Sequence, residues 1–360
     1  MEQFFCKTKI ISGPGALEAL GDMGIRKALV VTDPYFMENG QAQRIAKLSG
    51  ADQTEIFHEI TPDPSVELVA AGTAVFRLLK PDTVIALGGG SAMDCAKAIS
   101  YFGGKNSRLI MIPTTSGSGS EVTNFSILTH NGVKHPLIDE EIQPRVAILD
   151  SQLVETLPPA LVADGGFDLI SHALEALAAT KANAFSDTLA TEAFCTAMQD
   201  LSASLGADSA ARGRIHTAAT MAGIAFSQAG LGLCHAISHS LGGEFHLPHG
   251  RLNAILLPAV MDCNAIACGM RYARLAQKAG LSSGNEVMAL RALKNALLKL
   301  RRSLNMPETL AQAGVSPTLV REKLDELVSA SLADPCCATN PVKPDSSMVR
   351  KIIMEVIGRG

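Results

Sequence analysis

Four of the nine histidines in this chain lie within one short stretch, "LCHAISHSLGGEFHLPHG" (233–250). They are His235, His239, His246 and His249. A neutral imidazole nitrogen is a common ligand of divalent transition metals. The residues between these histidines are mostly small or apolar, so the stretch is unlike a hydrated surface segment. We therefore treat it as a candidate metal site.

An earlier segment, "GGFDLISHALEAL" (165–177), adds a carboxylate and a further imidazole. Asp168 and His172 stand four residues apart, which puts them on one face of a helix, and His235 and His239 repeat that spacing. One such pair alone also fits a surface pair or a helix cap. Two pairs in the same helical region, together with His249, provide a donor set suited to Zn²⁺ or Fe²⁺.

The end of the histidine-rich helix can also be placed from the sequence. We expect "LGG" (241–243) to end it, because glycine is typical just past a helix C-terminus. Pro248 and Gly250 should then hold His249 in a turn. The histidines would reach one cation from a helix and from the turn that follows it.

A glycine-rich turn, in "ALGGGSAMDCAKAI" (86–99), leads from a predicted strand into a predicted helix. The turn consists of Gly88, Gly89, Gly90 and Ser91. Glycines let the backbone approach a phosphate, and a helix N-terminus offers free N–H groups to it. Met93 stands where the G-x-G-x-x-G fingerprint needs a glycine, and no P-loop is present. The turn indicates a pyrophosphate cradle, with an ordinary strand-to-helix turn as the alternative.

Two further features accompany that turn. "IPTTSGSGSEVTN" (112–124) again follows a predicted strand and brings the hydroxyls of Thr114 and Thr115. Two such loops can hold one extended dinucleotide. Asp33 ends the first clear strand, where a carboxylate can bind ribose hydroxyls and repel a 2′-phosphate, favouring NAD over NADP. A simple turn residue before Pro34 is the alternative.

The elements that must position these residues change character along the chain. Short β-rich runs alternate with helix-like segments in the first part, which predicts a parallel sheet covered on both faces. The runs lie at 27–33, 82–90, 108–115 and 145–150. Beyond "TLPPALVADGG" (156–166) the pattern is almost entirely helical. We expect an α/β NAD-binding domain over residues 1–157, an all-helical metal-binding catalytic domain over 158–360, and a cleft between them.

Composition limits the functional classes. Of 360 residues, 47% are hydrophobic and 18% charged, which is typical of a folded protein. The net charge of -4 argues against a nucleic-acid partner, and no apolar run approaches a membrane span of about 20 residues. We find no signal peptide, and eight scattered cysteines without a C-x-x-C pair indicate reduced thiols in the cytoplasm.

The combination of these motifs with "PTTSGSGSEVT" and "FDLISHALEA" resembles the iron-containing (group III) alcohol dehydrogenase family, from "SGPGAL" (12–17) to "TNPVKPDS" (339–346). Within the family, "ITPDPS", "FSQAGLGL" and "FHLPHG" are most similar to the 1-propanol dehydrogenases of propanediol-utilisation bacterial microcompartments. The resemblance implies a dehydroquinate synthase-like fold, NAD(H), one divalent metal (Fe²⁺ or Zn²⁺) and a homodimer. It also implies a place in the cytoplasm or inside a microcompartment, with other enzymes or the shell as partners.

The resemblance also implies roles for individual residues. It assigns the metal to Asp168, His172, His235 and His249, a proton relay to His239 and a wall of the substrate pocket to Phe226. It assigns no role to His246. The implied cofactor contacts are Asp33, Asp63, Gly88, Gly89, Gly90, Ser91, Asp94, Thr114, Thr115, Thr123 and Lys134. Asp63 stands where many members have Asn, Ser240 where Pro is common, and Arg251 where an apolar residue is usual.

The implied reaction interconverts a short-chain primary alcohol and its aldehyde, such as 1-propanol and propionaldehyde or ethanol and acetaldehyde. The cation would polarise the substrate oxygen while nicotinamide exchanges a hydride. Three alternatives remain open at this point: a polyol dehydrogenase of the same fold, a metal hydrolase, and a scaffold protein with a structural metal. The hydrolase would leave both glycine loops without a role, and a structural metal should have no exchangeable ligand position.

Overall fold

The computed structural model describes residues 3–104, 107–130 and 133–358. The chain divides into two compact units, one comprising Phe5–Leu157 and the other comprising the chain from Pro158 onward together with residues 3–4. The strands described all lie in the first unit: β1 Lys9–Ser12, β2 Lys27–Thr32, β3 Gln53–Phe57, β4 Thr83–Gly88, β5 Arg108–Pro113, β6 Phe125–His130, β7 Val133–Ile138 and β8 Val146–Leu149.

Six of these strands form one parallel sheet in the order β1-β8-β5-β4-β2-β3. Its central strands are buried on both faces. In β2, Leu29 and Val31 belong to one hydrophobic core, whereas Ala28 and Val30 belong to another. Successive side chains of a strand point to opposite faces, so one apolar run supplies both cores. The parallel sheet predicted from the sequence is confirmed.

The helices of this unit are α1 Pro34–Glu38, α2 Gln41–Leu48, α3 Val66–Leu79 and α4 Gly90–Gly103. From β2 the chain moves outward to β3, and then it crosses back to place β4 on the other side of β2. The direction in which successive strands are added to the sheet therefore reverses between β2 and β4. Ligands of open parallel sheets bind at such a point, beyond the carboxyl ends of the strands. Thr32 is paired with Leu87, so the turns that follow β2 and β4 begin side by side.

The antiparallel hairpin of β6 and β7 was not predicted from the sequence. Its strands are only partly buried, and one of them contains Pro136, so their hydrophobic pattern is weak. The hairpin follows the second glycine-containing loop, and Thr129 forms a bridge to Ser65 at the start of α3. The two-stranded sheet of β6 and β7 therefore holds the chain that follows this loop.

The second unit contains helices and no strand among its described residues. Its helices are α5 Pro159–Ala178, α6 Ala184–Leu205, α7 Ser209–Ala229, α8 Leu233–Phe245, α9 His249–Lys278, α10 Glu286–Ser303, α11 Pro317–Glu322, α12 Leu324–Ala333 and α13 Ser346–Val356. The expected all-helical character of this region is confirmed. Helix α5 is buried on nearly every side, including its polar residues, because α6, α7 and α9 pack around it. It begins at Pro159, since proline suits the first helical position.

Two expectations about the histidine-rich segment are wrong. Helix α8 does not end at residues 241–243 but runs to Phe245, and His246 ends it in the left-handed conformation with φ 54°. His249 does not lie in a turn; it is the first residue of α9, with Pro248 as the N-cap. The fixed φ of proline suits a helix start, so Pro248 begins a helix here rather than holding a loop.

Contrary to the expectation that no apolar run approaches membrane length, helix α9 is long and apolar enough to cross a membrane by length and composition alone. However, 67% of its most apolar window is buried inside the protein. It contains Pro258, and its backbone leaves the helical conformation at Cys268. This burial is typical of a core helix, and the site uses only its first two turns.

Candidate active site

Four of the predicted metal ligands converge in the helical unit. The Nε2 atoms of His172 and His235 each lie 3.9 Å from Asp168 Oδ1, and His249 Nε2 lies 3.6 Å from the same oxygen. These separations exceed hydrogen-bond distances. The ligand atoms of Asp168, His235 and His249 all lie within 4.8 Å of one another. Residues from α5, α8 and α9 thus aim their donor atoms at one point.

This donor set fits a divalent transition metal. Ligand bonds of about 2.1 Å in tetrahedral geometry separate ligand atoms by roughly 3.4 Å. The observed separations of 3.6 to 3.9 Å are close to that value. One carboxylate and three imidazoles suit Fe²⁺ or Zn²⁺ without selecting between them. His249 is 28% exposed, whereas His172 and His235 are at most 5% exposed, so solvent reaches the group from the His249 side.

A buried carboxylate that the sequence analysis did not single out supports the cluster. Glu175 lies three residues after His172 on α5, and its Oε2 is 2.6 Å from His235 Nδ1. Its two oxygens also accept the backbone N–H groups of Gly232, Cys234 and His235. Asp168, His172 and Glu175 have the spacing i, i+4, i+7, which puts all three on one helical face. That spacing was visible in the sequence.

Burial controls the protonation of this pair. Burial lowers the pKa of His235 to about 3, and the nearby charge of His239 acts in the same direction. Burial also raises the pKa of Glu175 to about 7, against the backbone hydrogen bonds that lower it. We assign the neutral His235 ring as donating from Nδ1 to Glu175, so the Nε2 lone pair faces Asp168. A metal ligand requires this neutral form.

The start of α8 is held by side chains from distant parts of the chain. Glu175 accepts three of its first N–H groups, and Asn340 Oδ1 accepts the Leu233 N–H at 3.0 Å. Gly232, the N-cap, has no side chain, and a Cβ there would lie 2.8 Å from Glu175 Oε1. Only glycine lets both partners approach so closely. The position of His235 therefore depends on α5 and on the segment around Asn340.

His239 lies beside the cluster rather than in it. Its ring stacks on that of His249, with centroids 5.0 Å apart and an interplanar angle of 15°. Its Nδ1 is 2.8 Å from Asp334 Oδ2, while Asp334 Oδ1 accepts the Cys336 N–H. Burial acts to raise the pKa of Asp334, but the hydrogen bond and charge of His239 outweigh it and lower the pKa. Asp334 thus fixes the orientation of the His239 ring.

Two other side chains border the cluster. Phe226 stacks on His172, with ring centroids 4.4 Å apart, and so forms an apolar wall on α7. Asn253, one turn after His249 on α9, donates from Nδ2 to Asp168 Oδ1 at 2.9 Å. It also accepts the Ser238 hydroxyl, which holds the amide in this orientation. Asn253 and Asp334 were not predicted from the sequence. Asn253 has the helical spacing i+4 from His249, whereas no local spacing indicated Asp334.

In the first unit, the structure brings the glycine turn and the threonine loop together. Gly88 ends β4 with φ +153°, and a Cβ there would lie 2.6 Å from Ala92 Cβ. Gly89, the N-cap of α4, has no side-chain cap, and its missing Cβ would lie 3.2 Å from Thr115 Oγ1. The Thr114 N–H donates to Gly88 O at 3.0 Å. Ser91 follows in the first turn of α4, so backbone donors and hydroxyls share this edge of the sheet.

Asp94 and Thr123 occupy a polar cluster around the buried Lys97. Lys97 Nζ donates to Ser120 Oγ at 2.7 Å, to Thr123 Oγ1 at 3.1 Å and to the Phe125 carbonyl. Ser120 in turn donates to Asp94 Oδ1, and Asp94 Oδ2 accepts the Ile127 N–H. Burial lowers the pKa of Lys97 to about 8, against the attraction of Asp94 and Glu121. These contacts tie α4 to the chain that leads into β6, so Asp94 holds the loop's shape.

Of the remaining predicted cofactor residues, Asp33 lies at the same edge of the sheet, whereas Asp63 and Lys134 form an ion pair. Asp33 caps α1 by accepting the Phe36 N–H at 3.2 Å, and its Oδ2 would lie 3.8 Å from a Cβ at Gly88. Burial raises its pKa, against the backbone hydrogen bonds that lower it. Asp63, with φ 55°, pairs with Lys134 Nζ at 2.7 Å.

A parallel sheet with a glycine turn, followed by a helical unit that brings one carboxylate and three imidazoles together, is typical of metal-dependent dehydrogenases. The family model described as "Iron-containing alcohol dehydrogenase" matches residues 7–151, and "Fe-containing alcohol dehydrogenase family, C-terminal" matches residues 162–357. The chain belongs to the iron-containing alcohol dehydrogenase family and is an alcohol dehydrogenase. The hydrolase and scaffold alternatives are thereby excluded.

Individual relatives agree with this family. The 1-propanol dehydrogenase PduQ of Citrobacter freundii is 39% identical over 370 residues, covering 99% of this chain and 100% of the relative. An iron-containing alcohol dehydrogenase from Thermococcus thioreducens superimposes with a TM-score of 0.91 at 33% identity, covering 98% and 99% of the two chains. Sulfoacetaldehyde reductase from Bifidobacterium kashiwanohense, solved with NAD⁺, gives 0.89 at 27% identity, covering 99% and 98%.

Proposed function

We propose that this protein uses NAD(H) and one divalent metal to interconvert a short-chain primary alcohol and its aldehyde, with 1-propanol and propionaldehyde as the preferred pair. The observation that carries the proposal is the convergence of three imidazole Nε2 atoms on one oxygen of Asp168. We assign the metal to Asp168, His172, His235 and His249, with Fe²⁺ as the first candidate and Zn²⁺ as the second.

The surrounding residues prepare this site for chemistry. When bound, the cation supplies Lewis acidity to an alcohol or aldehyde oxygen. Glu175 and Asn253 hold His235 and Asp168 in the ligating orientation. Phe226 narrows the apolar space beside His172, which favours a short aliphatic substrate. His239 carries the proton, and because Asp334 occupies its Nδ1, the exchange takes place at Nε2.

We propose that the first unit binds NAD(H). The glycine turn and the α4 N-terminus would hold the pyrophosphate, and Thr114 and Thr115 would add donors from the neighbouring loop. Asp33 lies beside this turn, where its carboxylate would accept the ribose hydroxyls and oppose a 2′-phosphate. Asp63 and Lys134 would contact the cofactor as a pair, and Asp94 with Thr123 would act by shaping the loop. The NAD⁺ bound to the Bifidobacterium relative supports the choice of dinucleotide.

The substrate and the setting rest on similarity. The name of the Citrobacter relative supports 1-propanol. The resemblance to enzymes of propanediol-utilisation microcompartments supports a place inside such a compartment or in the cytoplasm, as a homodimer.

An NADH-oxidation assay tests the proposed reaction. Metal-free protein reloaded separately with Fe²⁺, Zn²⁺ or Co²⁺ should oxidise NADH with C2 to C4 aldehydes, with the highest kcat/KM for propionaldehyde. Glycerol and 1,2-propanediol, assayed with NAD⁺, are the control substrates. A higher kcat/KM for either polyol than for 1-propanol would instead identify a polyol dehydrogenase.

The preference for NAD over NADP should depend on Asp33. The D33G variant is expected to lower the ratio of NADH to NADPH kcat/KM by about tenfold or more, since a hydrogen bond to a charged group contributes about 1.5–3 kcal/mol. D33N keeps an oxygen that can cap α1 while removing the charge, and it should shift the ratio in the same direction. An unchanged ratio in both variants would remove Asp33 from the cofactor site.

A further inference from the structure

An ion pair next to the metal ligands has no role in the reaction described so far. Arg251, two residues after His249 in α9, donates from Nε to Asp164 Oδ1 at 3.2 Å and from Nη2 to Asp164 Oδ2 at 2.9 Å. Asp164 lies four residues before Asp168 on α5. The pair therefore joins the turn of α5 that precedes Asp168 to the first turn of α9, which carries His249.

The backbones of the two helices also meet at this point. Gly250 lies between His249 and Arg251, and a Cβ there would collide with the carbonyl group of Asp164. Any larger residue would push the start of α9 away from α5. The close approach and the bidentate pair together fix how far the first residue of α9 stands from Asp168.

The start of α9 needs such a contact more than the start of α8 does. Helix α8 is held by Glu175 and Asn340, whereas α9 has Pro248 as its N-cap and no side-chain capping hydrogen bond. His249 is also the most exposed of the three histidine ligands. Besides the hydrogen bond from Asn253 to Asp168 one turn later, the contacts that Gly250 and Arg251 make with α5 therefore set the position of His249.

We propose that Arg251 and Asp164 are positioning residues that hold His249 Nε2 at ligating distance from Asp168. The inference rests on the proposed metal site. The planar guanidinium fixes both distance and direction, which a point charge or an apolar side chain does not. Residues that orient metal ligands typically change metal affinity by about 10- to 100-fold when they are removed.

Positioning and simple electrostatics predict opposite results for one variant. R251L removes a positive charge near a cation site, so a purely electrostatic role for Arg251 predicts tighter metal binding. A positioning role predicts weaker binding, because His249 loses its fixed distance. The double variant D164A/R251L removes one negative and one positive charge, so the net charge near the site is unchanged. A change in its metal affinity then reports the loss of positioning.

Co²⁺ binding to full-length, metal-free protein distinguishes the two roles. We expect R251L and D164A/R251L to bind Co²⁺ about tenfold or more weakly in competition with a chelator, and to show altered d–d absorption. The control is D200A/R214L, which removes a bidentate pair away from the cluster, joining α6 to α7, and should leave both readouts unchanged. If R251L does not fold, R251K keeps the charge without the planar fork and should weaken binding in the same direction.

Unchanged or tighter Co²⁺ binding by R251L or by the double variant, with the wild-type spectrum, would overturn the positioning role and leave the metal site intact. Failure of the wild-type protein to bind Co²⁺ at all would instead overturn the metal site, and the inference with it.

Discussion

Replacing His249 with alanine is expected to remove bound metal and alcohol dehydrogenase activity together. His249 Nε2 is one of the three nitrogens that face Asp168 Oδ1, at 3.6 Å. Without it the site has three ligands and one open, solvent-exposed side. A Lewis-acidic cation contributes several kcal/mol to such a reaction, so activity should fall by about 10³-fold or more. Metal content by elemental analysis and NADH oxidation, measured on the same preparation, check this.

The control for this variant is H246N. His246 lies three residues earlier and is exposed, and asparagine tolerates the left-handed conformation in which it ends α8. H246N should retain metal and activity. Stoichiometric metal in H249A would contradict the assigned ligand set.

Replacing His239 with alanine should have a different signature. The variant is expected to keep its metal and to lower kcat by about 10²- to 10⁴-fold, the usual contribution of a positioned general acid or base. His239 points its Nδ1 at Asp334 and contacts the cluster by stacking on His249. Added imidazole should restore part of the lost turnover, because it replaces the missing proton carrier. Steady-state kinetics with metal analysis measure both effects.

Two further variants test whether the lower kcat of H239A comes from the loss of the His239 ring itself. S240A removes a neighbouring hydroxyl that donates to the Leu327 carbonyl, and it should leave turnover unchanged. D334N keeps an acceptor for the Cys336 N–H but no longer fixes the tautomer of His239, so kcat should fall while metal is retained. Loss of metal in H239A would reject the relay role and make His239 a ligand.

The parallel sheet could be predicted because its signal is local. A strand buried on both faces is apolar at consecutive positions, as in "ALVV" (28–31) and "VIAL" (84–87). The hairpin of β6 and β7 lacks this signal, since only Ser126 and Leu128 among the residues of β6 are buried. The end of α8 and the start of α9 were predicted wrongly because Gly242 and Gly243 remain helical inside the packed unit, so that α8 continues to Phe245. Tertiary contacts decided those boundaries, not local propensity.

The residues of the candidate site likewise divide into those that local spacing in the sequence indicates and those that it does not. The i, i+4 pairs singled out Asp168, His172 and His235, which lie together in the structure, because helical periodicity is visible in sequence. Continuing the same face by one turn would have identified Glu175. Asp334 and Asn340 could not be found this way, because their partners lie 95 and 107 residues away in the chain. Contacts over such separations depend on the folded arrangement of α5, α8 and the segment after α12.

The anchoring of α8 by Glu175 and Asn340 has a consequence during synthesis. Because Asn340 follows the ligand helix by about a hundred residues, a nascent chain that has released all of its histidines still lacks one of the groups that fix them. Contacts at this separation form late, after the costly closure of a long loop. We therefore expect the metal to enter only after this region has left the ribosome and folded, so that the cell loads a finished protein rather than an emerging one.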